Sequence, residues 1–344
     1  RVGAPGDAGL VAALRDLYRD LGNTREPLPP LVLLTLLRQV APQFAERGRS
    51  GEYAQQDAEE VYVRLLGALG TLPAPGAPDS RLVEQYMTGA MTTERRCAEA
   101  DEAPSTASEP FVMLHCNISG TTNEMTAGIR DLLTQTVEKH SDTLQRTAAY
   151  AEESRIARLP KYLSVHFVRF FWRRDISRKT KIMRKVKFPF ELDARAFATA
   201  ELAAQLDPAA SVLRDVCKAR ADRARARARG GAGGEGEDDD AATRAAEDAA
   251  YAASVSPAVR ADVGSSETGL YDLVGVVTHK GADADAGHYM AWVRKEEADG
   301  TLGEAWYKFD DDRVSVVGAD RIEGLAGGGE DSVAYILLYR AKTL

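Results

Sequence analysis

The segment G-A-D-A-D-A-G-H-Y-M-A-W-V, residues 281–293, is followed after a short gap by A-W-Y-K-F-D-D-D, residues 305–312. The first places His288 directly after Gly287, at the mouth of a strand of alternating residues. The second ends another short strand in the carboxylates Asp310, Asp311 and Asp312. Cross-strand neighbours in an antiparallel pair lie about 5 Å apart, so such a pair can set a His beside an Asp. A carboxylate on one imidazole nitrogen fixes the tautomer and leaves the other nitrogen free to take a proton. Asp310, next to apolar Phe309, is the carboxylate expected to face the ring, with Asp311 as a second polar contact. That is a nucleophilic triad without its nucleophile.

Around this pair the sequence is rich in strands. They are expected at 270–279, 288–295, 305–309, 314–317 and 333–339, and upstream at Y-L-S-V-H-F-V-R-F-F, residues 162–171, where β-branched and aromatic residues dominate. K-F-P-F-E-L reads as an edge strand because of Pro189. Residues 82–97 and 111–118 read as further strands. Met125, Ile129, Leu132, Leu133 and Val137 mark an amphipathic helix. The first seventy residues read as helical: one helix capped by Asp7, a second opened by Pro29 and Pro30, and a third at Q-Q-D-A-E-E, where Asp57 and Glu60 have the form of a capping box. Residues 218–264 pass from an arginine-alanine run through glycines to an acidic block, with few large apolar side chains. This stretch is expected to be a mostly disordered insertion within one sheet.

Composition narrows the function. The 344 residues are 44% hydrophobic and 28% charged, as in a globular protein. No apolar run approaches the roughly 20 residues of a membrane span. A net charge of −8 disfavours a nucleic-acid partner, and the arginine run at 220–229 lacks the aromatics that would stack on bases. Cys97, Cys116 and Cys217 are isolated. They make neither a disulfide framework nor the paired ligands of a zinc site, so a reducing compartment, no metal and no cofactor are expected. None has the helix-start setting of a reactive thiol. His115 and His166 read as structural. The chain opens on Arg1 without a secretory signal, and further sequence upstream is expected.

Taken together, G-H-Y-M-A-W-V, W-Y-K-F-D-D-D and Q-Q-D-A-E-E resemble the ubiquitin-specific proteases, the thiol-dependent deubiquitinases among the ubiquitin carboxyl-terminal hydrolases. A-P-Q-F-A-E-R-G, R-L-P-K-Y-L-S-V-H-F-V-R-F-F, K-V-K-F-P-F-E-L-D, Y-D-L-V-G-V-V-T-H-K-G and G-G-G-E-D-S-V-A-Y-I-L-L-Y extend the likeness over nearly the whole chain, toward the proteasome-associated branch. The resemblance implies an α+β, papain-like fold in a single catalytic domain: a helical thumb at 1–70, β fingers and palm at 80–200, and the rest of the palm at 265–344. It implies His288 as general base and Asp310 as its orienting partner. Gln56, Asp57, Gly287 and Tyr289 would line a channel for the ubiquitin C-terminal tail. Loops at about 171–187 and 281–287 would obstruct that channel at rest. Implied partners are ubiquitin, ubiquitinated proteins and the 26S proteasome regulatory particle, in the cytoplasm and also the nucleus.

One feature of the family is missing. Its nucleophile lies in a G-x-x-N-T-C-Y-x-N box, and Gly22-Asn23-Thr24-Arg25 has Arg in place of Cys. The box is therefore expected upstream, along with a ubiquitin-like domain, and these residues alone are expected to be inactive. The competing reading is a non-catalytic, ubiquitin-binding regulator of the proteasome.

Overall fold

The computed structural model describes residues 6–24, 26, 28–48, 51–173, 178–230, 237–281, 287–297, 300–328 and 332–344. The N-terminal helices Asp7–Asn23, Leu31–Val40 and Ala58–Leu69 pack through Leu10, Ala13, Leu36, Leu37, Phe44 and Ala68 into a small core of their own. Asp57 caps the third helix by accepting from the Glu59 N–H at 2.8 Å. Asp7 does not cap the first. It is the first helical residue, Gly6 holds the cap position, and the Asp7 carboxylate pairs with Arg64 on the third helix.

The main sheet has the order Arg313–Val317, Leu302–Asp310, His288–Glu296, Leu270–Lys280, Ser332–Ala341, Tyr162–Val168 and Leu114–Asn117, with Glu191–Asp193 paired to Leu270–Lys280. All pairs are antiparallel except the last in that order. Side chains alternate across a strand. Leu163, Val165 and Phe167 therefore enter the main core, while His166 faces the other side and meets Tyr335 edge-on. A second sheet, in the order Ser105–Phe111, Gly89–Cys97, Arg146–Arg158 and Thr134–Ser141, is joined to the core through Ile156.

Three further expectations change. Residues 82–97 are not one strand: a helix, Leu82–Met87, buries Val83 before the strand Gly89–Cys97 begins. A Cβ on Gly89 would stand 2.2 Å from the Phe111 ring, so only glycine lets the chain enter the sheet there. The helix expected through Val137 stops at Leu133. Thr134, Thr136 and Val137 then pair in register with Arg146–Arg158, where β-branched side chains suit a pleated surface.

The largest correction concerns residues 218–264. The described part is helical, as Ala200–Gly230, Glu237–Ser254 and Pro257–Ala261, and residues 231–236 lie outside the described set. Alanine is the strongest helix former, which offsets the shortage of large apolar residues. Of the four nearby, Tyr251, Val255 and Val259 are buried in the main core, which also holds Leu206, Ala209, Ala210 and Leu213, and Val263 is exposed. Charges of this stretch join the helices: Arg220 binds Glu247 and Asp248, and Arg223 binds Glu247. Partly exposed pairs contribute little to stability, so the apolar anchors carry the docking. Tyr251→Ala is expected to destabilise the protein by about 3 kcal/mol in denaturant titration. An unchanged midpoint would show the helical hairpin to be undocked.

Candidate active site

His288 is the first residue of its strand and Asp310 the last of the neighbouring one. The register pairs Ala291 with Phe309, so Asp310 falls one residue further on, on the face that His288 shares with Met290. His288 Nε2 lies 2.6 Å from Asp310 Oδ1. Asp310 Oδ2 accepts from Lys308 Nζ at 2.7 Å. The Lys308 ammonium first, and the His288 hydrogen bond second, hold the Asp310 carboxyl down at about 2. An ionised carboxylate only accepts, so Nε2 must carry the proton. Among the described residues Nδ1 has no hydrogen-bond partner. That nitrogen can take a proton from an acid placed opposite it. Asp311 is further off, with Oδ2 3.9 Å from Nε2, and its side chain is mostly exposed in the turn.

The approach to His288 is held from below. A Cβ on Gly287 would lie 2.3 Å from the Lys280 carbonyl and 2.5 Å from His279 Nε2, so glycine is required by close packing. The His279 ring is fully buried, edge-on to Phe170 and Tyr289 at 5.2 and 4.8 Å between centroids. Burial, with Lys181 nearby, pushes it down to about 4, so it is neutral near pH 7. Lys181, itself buried, donates from Nζ to the carbonyls of His279 and Gly281 at 2.7 and 2.8 Å. Of the two loops expected to obstruct the channel, residues 174–177 and 282–286 lie outside the described set.

The helical part meets the sheet at Asp57. Besides capping its helix, Asp57 accepts from the Tyr335 hydroxyl, with both carboxylate oxygens at 2.8 Å. Burial first, and Asp57's charge second, push the phenols of Tyr289 and Tyr335 well up. Gln56 makes only a long hydrogen bond, 3.4 Å, to the Ala54 carbonyl. The structure thus joins His288 to Asp310 and sets Gly287 and Tyr289 against His279. Asp57 is placed with Tyr335, and Gln56 has no hydrogen bond to any of them. Sequence reasoning missed Tyr335, Lys308, Lys181 and His279. Lys308 had a readable signal, because residues two apart on a strand share a face.

No cysteine of this chain serves His288. Cys116 is buried, donates to the Met125 carbonyl, and burial pushes its thiol up to about 12. Its strand is also four places from that of His288, roughly 19 Å at ordinary strand spacing. Cys97 belongs to the second sheet, and Cys217 packs from the helix Ala200–Gly230. His288, Asp310 and Asp311 offer ligand atoms within 4.8 Å of one another. The Lys308 ammonium already neutralises Asp310, however, and the set is an ion-paired dyad rather than a metal cradle.

A mixed fold of helices and a large, mainly antiparallel sheet, with a His–Asp dyad at the ends of two paired strands, belongs to the papain-like class of folds. The family model described as ubiquitin carboxyl-terminal hydrolase matches residues 4–339. The chain is 43% identical over 341 residues to ubiquitin carboxyl-terminal hydrolase 6 of Schizosaccharomyces pombe, covering 98% of this chain and 71% of that protein. It is 30% identical over 337 residues to ubiquitin carboxyl-terminal hydrolase 14 of Caenorhabditis elegans, covering 98% of this chain and 64% of that one. Among solved structures it is similar in fold to the SAGA Ubp8/Sgf11/Sus1/Sgf73 DUB module bound to ubiquitin aldehyde. That match has a TM-score of 0.61 at 18% identity, over 100% of this chain and 61% of that one. The chain belongs to the ubiquitin carboxyl-terminal hydrolase family, and its fold is that of the ubiquitin-specific proteases.

The Asp57–Tyr335 contact joins residues 278 apart in sequence. Tyr335→Phe is expected to cost about 1–3 kcal/mol, because it removes a donor from a half-buried carboxylate. Hydrogen exchange at the start of the helix Ala58–Leu69 should rise with it. Unaltered stability and exchange would show that the cap alone holds this helix start.

Proposed function

We propose that this protein is a thiol-dependent deubiquitinase in which His288 is the general base and Asp310 its orienting partner. The observation that carries this reading is the 2.6 Å contact of His288 Nε2 with Asp310, which leaves Nδ1 open. The nucleophile is a cysteine outside these 344 residues, since the three within them are placed elsewhere in the fold. In the reaction Nδ1 takes the proton of that thiol, and the thiolate attacks the carbonyl of ubiquitin's last residue. The imidazolium, stabilised by Asp310, returns the proton to the departing lysine amine, and water then cleaves the thioester by the same relay. Gly287, Tyr289, Gln56 and Asp57 line the passage for the ubiquitin tail. Gly287 makes room for the narrow tail, and close packing against the Lys280 carbonyl also requires a glycine there. The named relatives support the substrate class, and the resemblance to the proteasome-associated branch supports proteasome-bound substrates. The placement of the three cysteines favours a second reading, a non-catalytic ubiquitin-binding regulator.

Two measurements separate the readings. In the full-length protein, His288→Ala should lower hydrolysis of a ubiquitin amide by about 1000-fold or more while ubiquitin affinity is retained. Turnover at the wild-type rate would sink the general-base assignment. An electrophilic ubiquitin probe should label the full-length protein at a cysteine other than Cys97, Cys116 and Cys217; no labelling favours the regulator.

The pH dependence has a definite sign. Asp310 is depressed from 3.8 to about 2, so its ionic contact is fully present above pH 3.8 and is lost only as pH falls through about 2. An acid limb of activity above pH 4 should therefore not belong to this carboxylate. An acid limb below pH 4 would assign it to the carboxylate instead.

A further inference from the structure

A carboxylate has two oxygens, and the dyad uses one. The other, Asp310 Oδ2, accepts from Lys308 Nζ at 2.7 Å. Lys308 stands two residues before Asp310 on the same strand, so both side chains leave the same face. Opposite Lys308 in register is Trp292, and Nζ lies 5.5 Å from its ring centroid, within cation–π reach. Trp292 is buried and donates from Nε1 to Thr278 Oγ1 at 3.1 Å. A ladder therefore crosses three strands from Thr278 through Trp292, Lys308 and Asp310 to His288.

We propose that Lys308 is a positioning residue for the dyad: its ammonium tethers Asp310 Oδ2 so that Oδ1 stays on His288 Nε2. The proposal rests on the general-base reading above. Without the tether the carboxylate can swing about its Cβ–Cγ bond, and the imidazole follows it. Lys308 is the strongest influence holding Asp310 low, ahead of His288 itself.

The remaining charges around the ring do not replace it. Asp311 Oδ2 lies 3.9 Å from Nε2 and Lys280 pairs opposite His288, so these two oppose one another in sign. Arg313 pairs with Asp310 through the backbone, Asp312 is exposed in the turn, and burial keeps His279 neutral. Among the described residues, Lys308 alone makes a hydrogen bond to Oδ2.

The test compares Lys308→Met with Lys308→Arg in the full-length protein. Met keeps an apolar stem over Trp292 and removes the charge, whereas Arg keeps the charge. The readouts are kcat and the ¹⁵N shift of His288 Nε2 by NMR, assigned by its loss in His288→Ala. In Lys308→Met kcat should fall by about tenfold and the Nε2 shift should leave its pyrrole-type value and move toward that of Nδ1, and Lys308→Arg should restore the wild-type values. An unmoved Nε2 shift in Lys308→Met overturns the proposal. Equal shifts or losses in the Met and Arg variants would also overturn it, since they would reveal a merely structural side chain. The ring shift needs no turnover and so tests Lys308 even in a protein without hydrolase activity. Wild-type turnover in His288→Ala would remove the general-base reading and this proposal with it.

Discussion

The site depends on one strand register. The strands His288–Glu296 and Leu302–Asp310 must pair so that Ala291 meets Phe309, because only then do His288 and Asp310 project from the same face. A slip of one residue would turn one of them to the opposite side. Apolar burial fixes the register: Trp292 and Trp306 are buried in the main core, one from each strand. Residues with no chemical role therefore decide where the charged pair lands, and the polar contact is a consequence of the packing.

The same face-by-face logic extends to the aromatic residues near Asp57. Phe170, His279, Tyr289 and Tyr335 form a chain of edge-on and tilted rings on the side of the sheet that meets the helical region. Tyr335 ends it with a hydrogen bond to Asp57. His279 stays uncharged within this layer of rings, kept neutral by its burial. Arg169, also buried, donates to the carbonyls of Ala334, Ile182 and Arg184. With Lys181 it binds the segment after residue 178 to the sheet. These two buried cations spend their hydrogen bonds on backbone carbonyls, which gives the sheet's active-site end a fixed backbone.

Much of this was legible in the residues, for reasons that can be stated. His288 and Asp310 sit at the ends of two short strands with a strict two-residue period, and that period puts them on one face. Asp57 carried the signature of a helix cap. The helices within 218–261 were not legible, because few of their residues are large and apolar. Docking there turns on Tyr251, Val255 and Val259, a sparse set in a stretch dominated by alanine and charge. The break at Gly89 was hidden because its cause, the ring of Phe111, lies on another strand. Tyr335 was hidden in the same way: its partner lies 278 residues away, and no local pattern encodes such a contact. Local periodicity wrote the strands and caps, and long-range packing wrote the rest.

The central claim is that Asp310 fixes the imidazole with its proton on Nε2 and its lone pair on Nδ1. The most direct measurement is the ¹⁵N chemical shift of both ring nitrogens of His288, at a pH where the ring is neutral and with the reactive thiol capped. The account predicts a pyrrole-type shift at Nε2 and a pyridine-type shift at Nδ1, with the two averaging toward each other in Asp310→Asn. A proton resident on Nδ1 in the wild-type protein would contradict it.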